Sequence, residues 1–200
     1  MIKDLTSQKT AVNIVTKKQV NESKELFSFL TDFESKANTK KTVHLDSSLQ
    51  LKSRITTKGK IKFCNSDFCT ATNYSSKNIQ NKAITSVFHP EMPKVIMNVI
   101  KNNLENKTNA LAVIKQIDSD GNTIWVNTLF NPNTTSKLNI ACHIKSNPSS
   151  KKTIKKIDKI YNTLFLLEHH VSHEIAEKYF EGLLEMEYGN YEGLLIDLFQ

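Results

Sequence analysis

The chain carries one arginine, Arg54, among 27 basic residues. Recognition of base edges and phosphates favours the bidentate guanidinium, and the sequence holds no helix-turn-helix, finger or aromatic-basic stripe. The formal charge of +7, diluted by 20 acidic residues, is therefore not read as a nucleic-acid interface. Cysteine is scarce too. Cys64, Cys69 and Cys142 cannot all pair within one chain and show no Cys-x-x-Cys spacing, which fits a reducing compartment better than a disulfide scaffold. Apolar runs such as Ala110-Leu111-Ala112-Val113-Ile114 fall far below the roughly 20 residues that span a bilayer. The N-terminal MIKDLTSQKTAVNIV lacks the apolar block of a signal peptide. A cytoplasmic protein with no direct membrane insertion is expected. Gly-x-Ser-x-Gly, a P-loop and carboxylates paired in a pocket-forming pattern are also missing, so no enzyme is expected.

What is present is 38% hydrophobic over 200 residues, enough for one core with extensions. Residues 1–20 have no sustained period and read as an arm. From Asn21, a capping residue, Leu26, Phe27, Phe29, Leu30 and Phe33 recur at helical spacing. LKSRITTKGKIKFCN holds two alternating runs around Thr57-Lys58-Gly59-Lys60, a hairpin in which Gly59 supplies the positive φ. Small helices and turns follow through DFCTATNYSSKNIQNK. Pro90 and Pro93 then introduce a helix with Ile96, Val99, Ile100 and Leu104 on one face, ending near Asn106. TNALAVIKQIDSDGNTIWVNTLFNP reads as a second hairpin turning at Asp118-Ser119-Asp120-Gly121-Asn122, and Lys137 to Ile144 as a further strand. Two strands, helices and three strands predict an α+β fold, one five-stranded antiparallel sheet with helices on one face.

Past Pro148 the pattern turns helical. Ile154, Ile157, Tyr161, Leu164 and Phe165 form a stripe behind a Ser149/Ser150 cap, and two more helices are expected over about 172–187 and 190–199. The chain divides into an arm and short helix (1–42), the sheet domain (43–147) and a helical extension (148–200). Charge in the extension is segregated: Lys151, Lys152, Lys155, Lys156 and Lys159 are basic, whereas Glu168 to Asp197 is acidic. Such faces are solvated or loosely paired, and they offer a surface to a partner.

Individual residues carry chemistry of their own. His89, between Phe88 and Pro90, has two readings: contact with a ligand, since an imidazole can donate, accept or ligate, or a ring bonded to a backbone carbonyl at the helix start. Trp125 reads as core, with Ile124 and Val126 on the opposite face. Cys64 and Cys69 straddle Asn65 and read as small core residues, with no Asn-Cys-Arg-Phe-Leu photochemical motif near them. In the cluster Glu168, His169, His170 and His173, spacing dictates no third ligand beyond the His169/His173 pair, and no metal is expected.

Ser53, Thr56, Gly59, Ile61, Asn65 and Phe68, then Tyr74, His89-Pro90-Glu91-Met92-Pro93, Asp120-Gly121, Trp125-Val126 and Pro132, follow one another without a gap from about Ser53 to Pro132. In this the sequence resembles the aerotaxis-receptor branch of PAS sensor domains, and the His-Pro-acid-Met-Pro string is the specific part. The resemblance implies a PAS fold and a non-enzymatic sensory role for redox or energy taxis. It also implies FAD held in a cleft between sheet and helices, with a separate methyl-accepting-type transducer or other signalling protein as partner. A homodimer is an alternative assembly, and any recruitment to the inner membrane would be through the partner. Carried over by position, the flavin-associated residues are Asn65, Phe88, His89, Glu91, Gln116 and Trp125. Phe88 stands where the branch has arginine, Gln116 where it has asparagine, Ile84-Thr85 where it has His-Asn, and Lys101 and Ala110 where many relatives have tryptophan. These changes remove cationic donors and stacking rings that a flavin diphosphate and ring would use. The alternatives are therefore a cofactor-free PAS adaptor and a haem or small-ligand receptor. Family glycines are replaced by Asn73 and Asn81, residues that tolerate left-handed backbone.

Overall fold

The structure, a computed structural model, describes Leu30, residues 40–133 and residues 140–200. The expected arm and most of the helix from Asn21 lie outside the described residues; Leu30 is buried in the core.

Strands β1 (Leu51–Thr56) and β2 (Ile61–Cys64) pair antiparallel. Gly59, at φ 68°, allows the tight reversal, and Thr56 Oγ1 accepts the N–H groups of Lys58 and Lys60. Three short elements follow: helix α1 (Ser66–Thr72), helix α2 (Ser76–Ile79) and a 3-10 turn (Ile84–Val87). Asn73 ends α1 at φ 53° and Asn81 sits at φ 63°, the left-handed positions expected of them. Helix α3 (Lys94–Glu105) begins after Pro93 and buries Val95, Ile96, Met97, Ile100 and Leu104.

Strands β3 (Ala110–Ile117) and β4 (Thr123–Pro132) form the second hairpin. Its turn is tied by the Asp118 carboxylate, which accepts from the backbone N–H groups of Asp120 and Asn122 and from the Asn122 amide. Strand β5 (Ile140–Pro148) runs further than the apolar pattern indicates, because Lys145 and Ser146 keep the ladder to both β1 and β4, and Asn147 that to β4, despite their polarity; residues 137–139 of the expected strand lie outside the described residues. The sheet order is β2-β1-β5-β4-β3, all antiparallel.

Directly opposed residues share a face. The register therefore puts Ser53, Ile144 and Phe130 in one row, and Gln116 beside Ile124, on the inner face packed by α1–α3. Leu111, Val113, Lys115, Trp125 and Leu129 occupy the outer face. Helices α4 (Lys151–His170), α5 (His173–Leu183) and α6 (Tyr191–Phe199) follow, with a π-helical turn (Leu184–Tyr188) between the last two. Ser150, Ser172 and Asn190 cap them. Helix α4 crosses the outer face at the β3/β4 side, whereas Lys52, Arg54 and Lys145 toward β1 and β5 stay exposed. The domain helices thus lie on one face and the tail begins on the other. No helix among the described residues is long and apolar enough to cross a membrane.

One edge of the sheet, β3, is closed by groups from outside it. Alternate carbonyls of that edge each accept a hydrogen bond: Leu111 from Tyr191 Oη (3.1 Å), Val113 from Tyr161 Oη (2.6 Å) and Lys115 from the His89 N–H (3.0 Å). An edge strand left open would invite pairing with another chain, and here two tyrosines of the tail prevent it.

Candidate functional site

The segment between the 3-10 turn and α3 docks on the β3 edge. Phe88 forms an isolated antiparallel bridge with Gln116, so its side chain shares the inner side with Gln116, and the next residue, His89, turns the opposite way. The His89 ring is 1% exposed. Its Nδ1 accepts the Glu91 N–H at 3.1 Å, while the His89 carbonyl accepts from Met92 N–H. The ring therefore does bond the backbone at the helix start, but as an acceptor of an N–H rather than as a donor to a carbonyl. That contact puts the proton of the neutral ring on Nε2. Burial, with the positive charge of Lys115 adding to it and Glu91 opposing, pushes the His89 pKa down to about 4.

Lys115 is the centre of the site. Its ammonium lies 2.7 Å from Glu91 Oε2, 3.8 Å from Asp158 Oδ1 on α4, and 5.5 Å from the Trp125 ring centroid. The side chain is only 12% exposed, so these partners replace lost water. Burial alone would raise the Glu91 carboxyl, yet the hydrogen bond and charge of Lys115 hold it below its ordinary value. Trp125 in turn packs against Tyr161 of α4, with ring centroids 5.9 Å apart. One buried cation thus joins the His-Pro-Glu-Met-Pro segment, the outer face of the sheet and the tail.

A second junction lies at the other end of α4. Glu168 accepts the Lys94 and Val95 N–H groups, at 3.0 and 2.8 Å, and so caps α3 with a carboxylate from the tail. His173 stands 3.5 Å from Glu168 and 3.1 Å from Glu177, and its Nε2 lies 2.9 Å from the Asn98 amide of α3. His169 instead stacks on Phe165 and lies against the Phe165 carbonyl. The sequence cluster therefore separates into a docking pair, Glu168 and His173, and two exposed histidines. Among the described residues no group of three or more metal-binding side chains converges.

The residues carried over from the flavin branch do not gather in one cleft. Asn65 uses its carbonyl on the Lys52 and Phe68 N–H groups and its amide on the Gln50 carbonyl, welding β1 to the start of α1. Trp125 lies on the outer face beneath α4, away from the inner face that a ring between sheet and helices would contact. Glu91 is occupied by Lys115. Phe88 is packed in the core, and Gln116 beside it holds a buried Oε1 with no hydrogen-bond partner. Three of the six are committed elsewhere and no cation stands on the inner face among them, so the six do not together form one flavin cleft. Sequence reasoning missed Lys115, Asp158, Tyr161, Glu168 and Tyr191 as linking residues. A lone lysine inside ALAVIKQI was the available signal, since a charge in a buried strand needs a partner.

On the tail, α4, α5 and the π-helical turn line a groove of about 510 Å³ that includes Lys152, Lys155, Lys159, Tyr179 and Leu183, with one acidic residue, Glu187. Lys156 is paired with Asp197 at 2.6 Å, so the segregated charges meet in part. Ile175 and Met186 of the tail are exposed.

A five-stranded antiparallel sheet with helices packed on its inner face, its β3 edge locked to a histidine loop, is an α+β architecture. Residues 61–145 match the family described as PAS fold, and the fold of this chain is a PAS fold. No curated protein matches the chain. Similar solved structures include the PAS domain of a protein from Colwellia psychrerythraea, at 17% identity over 54% of this chain and 91% of that one, TM-score 0.46. The light state of the blue-light photoreceptor Aureochrome1 LOV is similar at 19% identity over 57% of this chain and 93% of that one, TM-score 0.49. A light-oxygen-voltage domain studied with a flavin analogue is similar at 16% identity over 57% and 86%, TM-score 0.47.

Proposed function

We propose that this chain is a non-enzymatic PAS signalling protein that passes a change in its domain to a separate protein through its helical tail. The observation that carries this reading is the Lys115 junction, where Glu91 of the His89 loop and Asp158 of α4 meet one partly buried ammonium. Helix α4 starts directly after β5 and its last turns cap α3, so a shift of the His89 loop or of α3 acts on α4 at Asp158 or at Glu168. Its basic groove suits an acidic signalling partner, in the energy-taxis reading a methyl-accepting-type transducer that would bring the chain to the membrane. A homodimer through the same tail is the competing assembly. If the purified chain neither self-associates nor binds a transducer cytoplasmic region, this function is wrong.

A second reading adds a ligand on the inner face, FAD for redox or aerotaxis sensing, or a haem or small molecule. The observation in its favour is the unpartnered Gln116 Oε1, an acceptor waiting for an N–H donor. An absorption spectrum of fresh protein separates these inputs: flavin bands, a Soret band or neither. Colourless protein that FAD cannot reconstitute removes the flavin input and leaves the adaptor.

A further inference from the structure

Cys64 ends β2 and Cys69 lies in the middle of α1, and their Sγ atoms are 3.6 Å apart. Asn65 brings them together by ending the strand and capping the helix, so that Cys69 sits one turn above the strand end and donates its N–H to the Asn65 carbonyl. Both thiols are free. Cys64 is 8% exposed, whereas Cys69 is partly open to solvent. A disulfide places the sulfurs at about 2.0 Å, and side-chain torsions of the two residues are the freedom through which they approach.

We propose that Cys64 and Cys69 form a reversible disulfide when a peroxide reaches Cys69, making the corner between β2 and α1 a thiol redox site. The Cys69 thiolate attacks a peroxide oxygen and the O–O bond breaks, giving a sulfenic acid and hydroxide, which takes up the proton the thiol had shed and leaves as water. Cys64 then gives up its proton as its sulfur displaces hydroxide from the sulfenic sulfur, and a second water leaves. Two thiols lose two electrons and one peroxide gains them; a dithiol reductant reverses the step. Burial and the neighbouring thiol push the Cys64 pKa up to about 11, so Cys64 is not the thiol that meets peroxide first. Cys142, fully buried and pushed up to about 12 by burial, is a built-in unreactive control. The bond would form across Asn65, the residue that joins β1 to α1, so oxidation acts on the domain independently of the tail.

The test takes the full chain, reduced and then treated with hydrogen peroxide, denatures it in iodoacetamide and reads it by mass spectrometry. Alkylatable thiols are expected to fall from three to one, with a peptide linking Cys64 to Cys69 that dithiothreitol removes. Cys69→Ser should keep both remaining thiols under the same dose. Three alkylated thiols after peroxide, a link between two chains instead of within one, or loss of Cys64 in Cys69→Ser as readily as in the parent would each overturn the proposal.

Discussion

Lys115 and Trp125 stand directly opposite each other on β3 and β4, with the ammonium 5.5 Å from the ring centroid. The same ammonium reaches Glu91 and Asp158, so the sheet register fixes the point at which loop, strand and tail meet. Replacing Lys115 by Met keeps the stem that packs on the ring and removes the charge. The His89 pKa should rise from about 4 while remaining below the ordinary histidine value, because burial persists and only the cation is gone. Proton NMR of the ring measures this, and an unmoved titration would separate His89 from the junction. Stability should fall by about 1–2 kcal/mol.

Acid should weaken the fold through His89. The folded ring titrates near 4 and an unfolded one near 6.5. Between those values the unfolded chain binds a proton that the folded chain refuses, so stability present above pH 6.5 is lost as pH falls toward 4, by up to about 3 kcal/mol. His89→Gln retains an oxygen to accept the Glu91 N–H and has no such proton. Urea unfolding at neutral pH and at about pH 4.5 should show a smaller drop for the variant than for the parent. Equal drops would assign the acid sensitivity to other groups.

Tyr161→Phe deletes one oxygen and leaves the Val113 carbonyl on the sheet edge without its 2.6 Å donor. A buried acceptor left alone costs about 1–3 kcal/mol. The midpoint of urea unfolding should fall accordingly with an unchanged slope. An unaltered midpoint would mean that another donor reaches that carbonyl.

Glu168→Ala removes the carboxylate cap of α3, a loss of about 1 kcal/mol for a helix N-terminus. Hydrogen exchange should accelerate at the Lys94 and Val95 amides, which it accepts, more than in the sheet. Protection retained there would show the first turn of α3 holding without the tail.

Period and turn chemistry made much of the fold legible. Gly59 and the Asp118 to Asn122 stretch marked both hairpins because their residues carry the backbone angles and local acceptors that the turns require. The stripe Ile157, Tyr161, Leu164 predicted the buried face of α4, although not what it would lie against. The sequence pattern ends strand β5 at Ile144 because Lys145 and Asn147 face solvent and hide the ladder from a hydrophobicity reading. The site was harder to see. His89 and Glu91 are neighbours in the chain, but Lys115, Asp158 and Glu168 reach them only through tertiary contacts that no local period encodes. Trp125 matched a family position while its neighbours Ile124 and Val126, buried on the opposite face, concealed which way it points.

Trp125 is the only tryptophan of the chain and is 3% exposed beneath α4, so its emission reports directly on whether the tail stays docked. Acrylamide quenching should be weak in the parent. It should rise several-fold, with a red-shifted maximum and retained sheet circular dichroism, in the double variant Lys115→Met, Glu168→Ala. Quenching that stays as weak in the double variant as in the parent would contradict the account that these two junctions couple the domain to its tail.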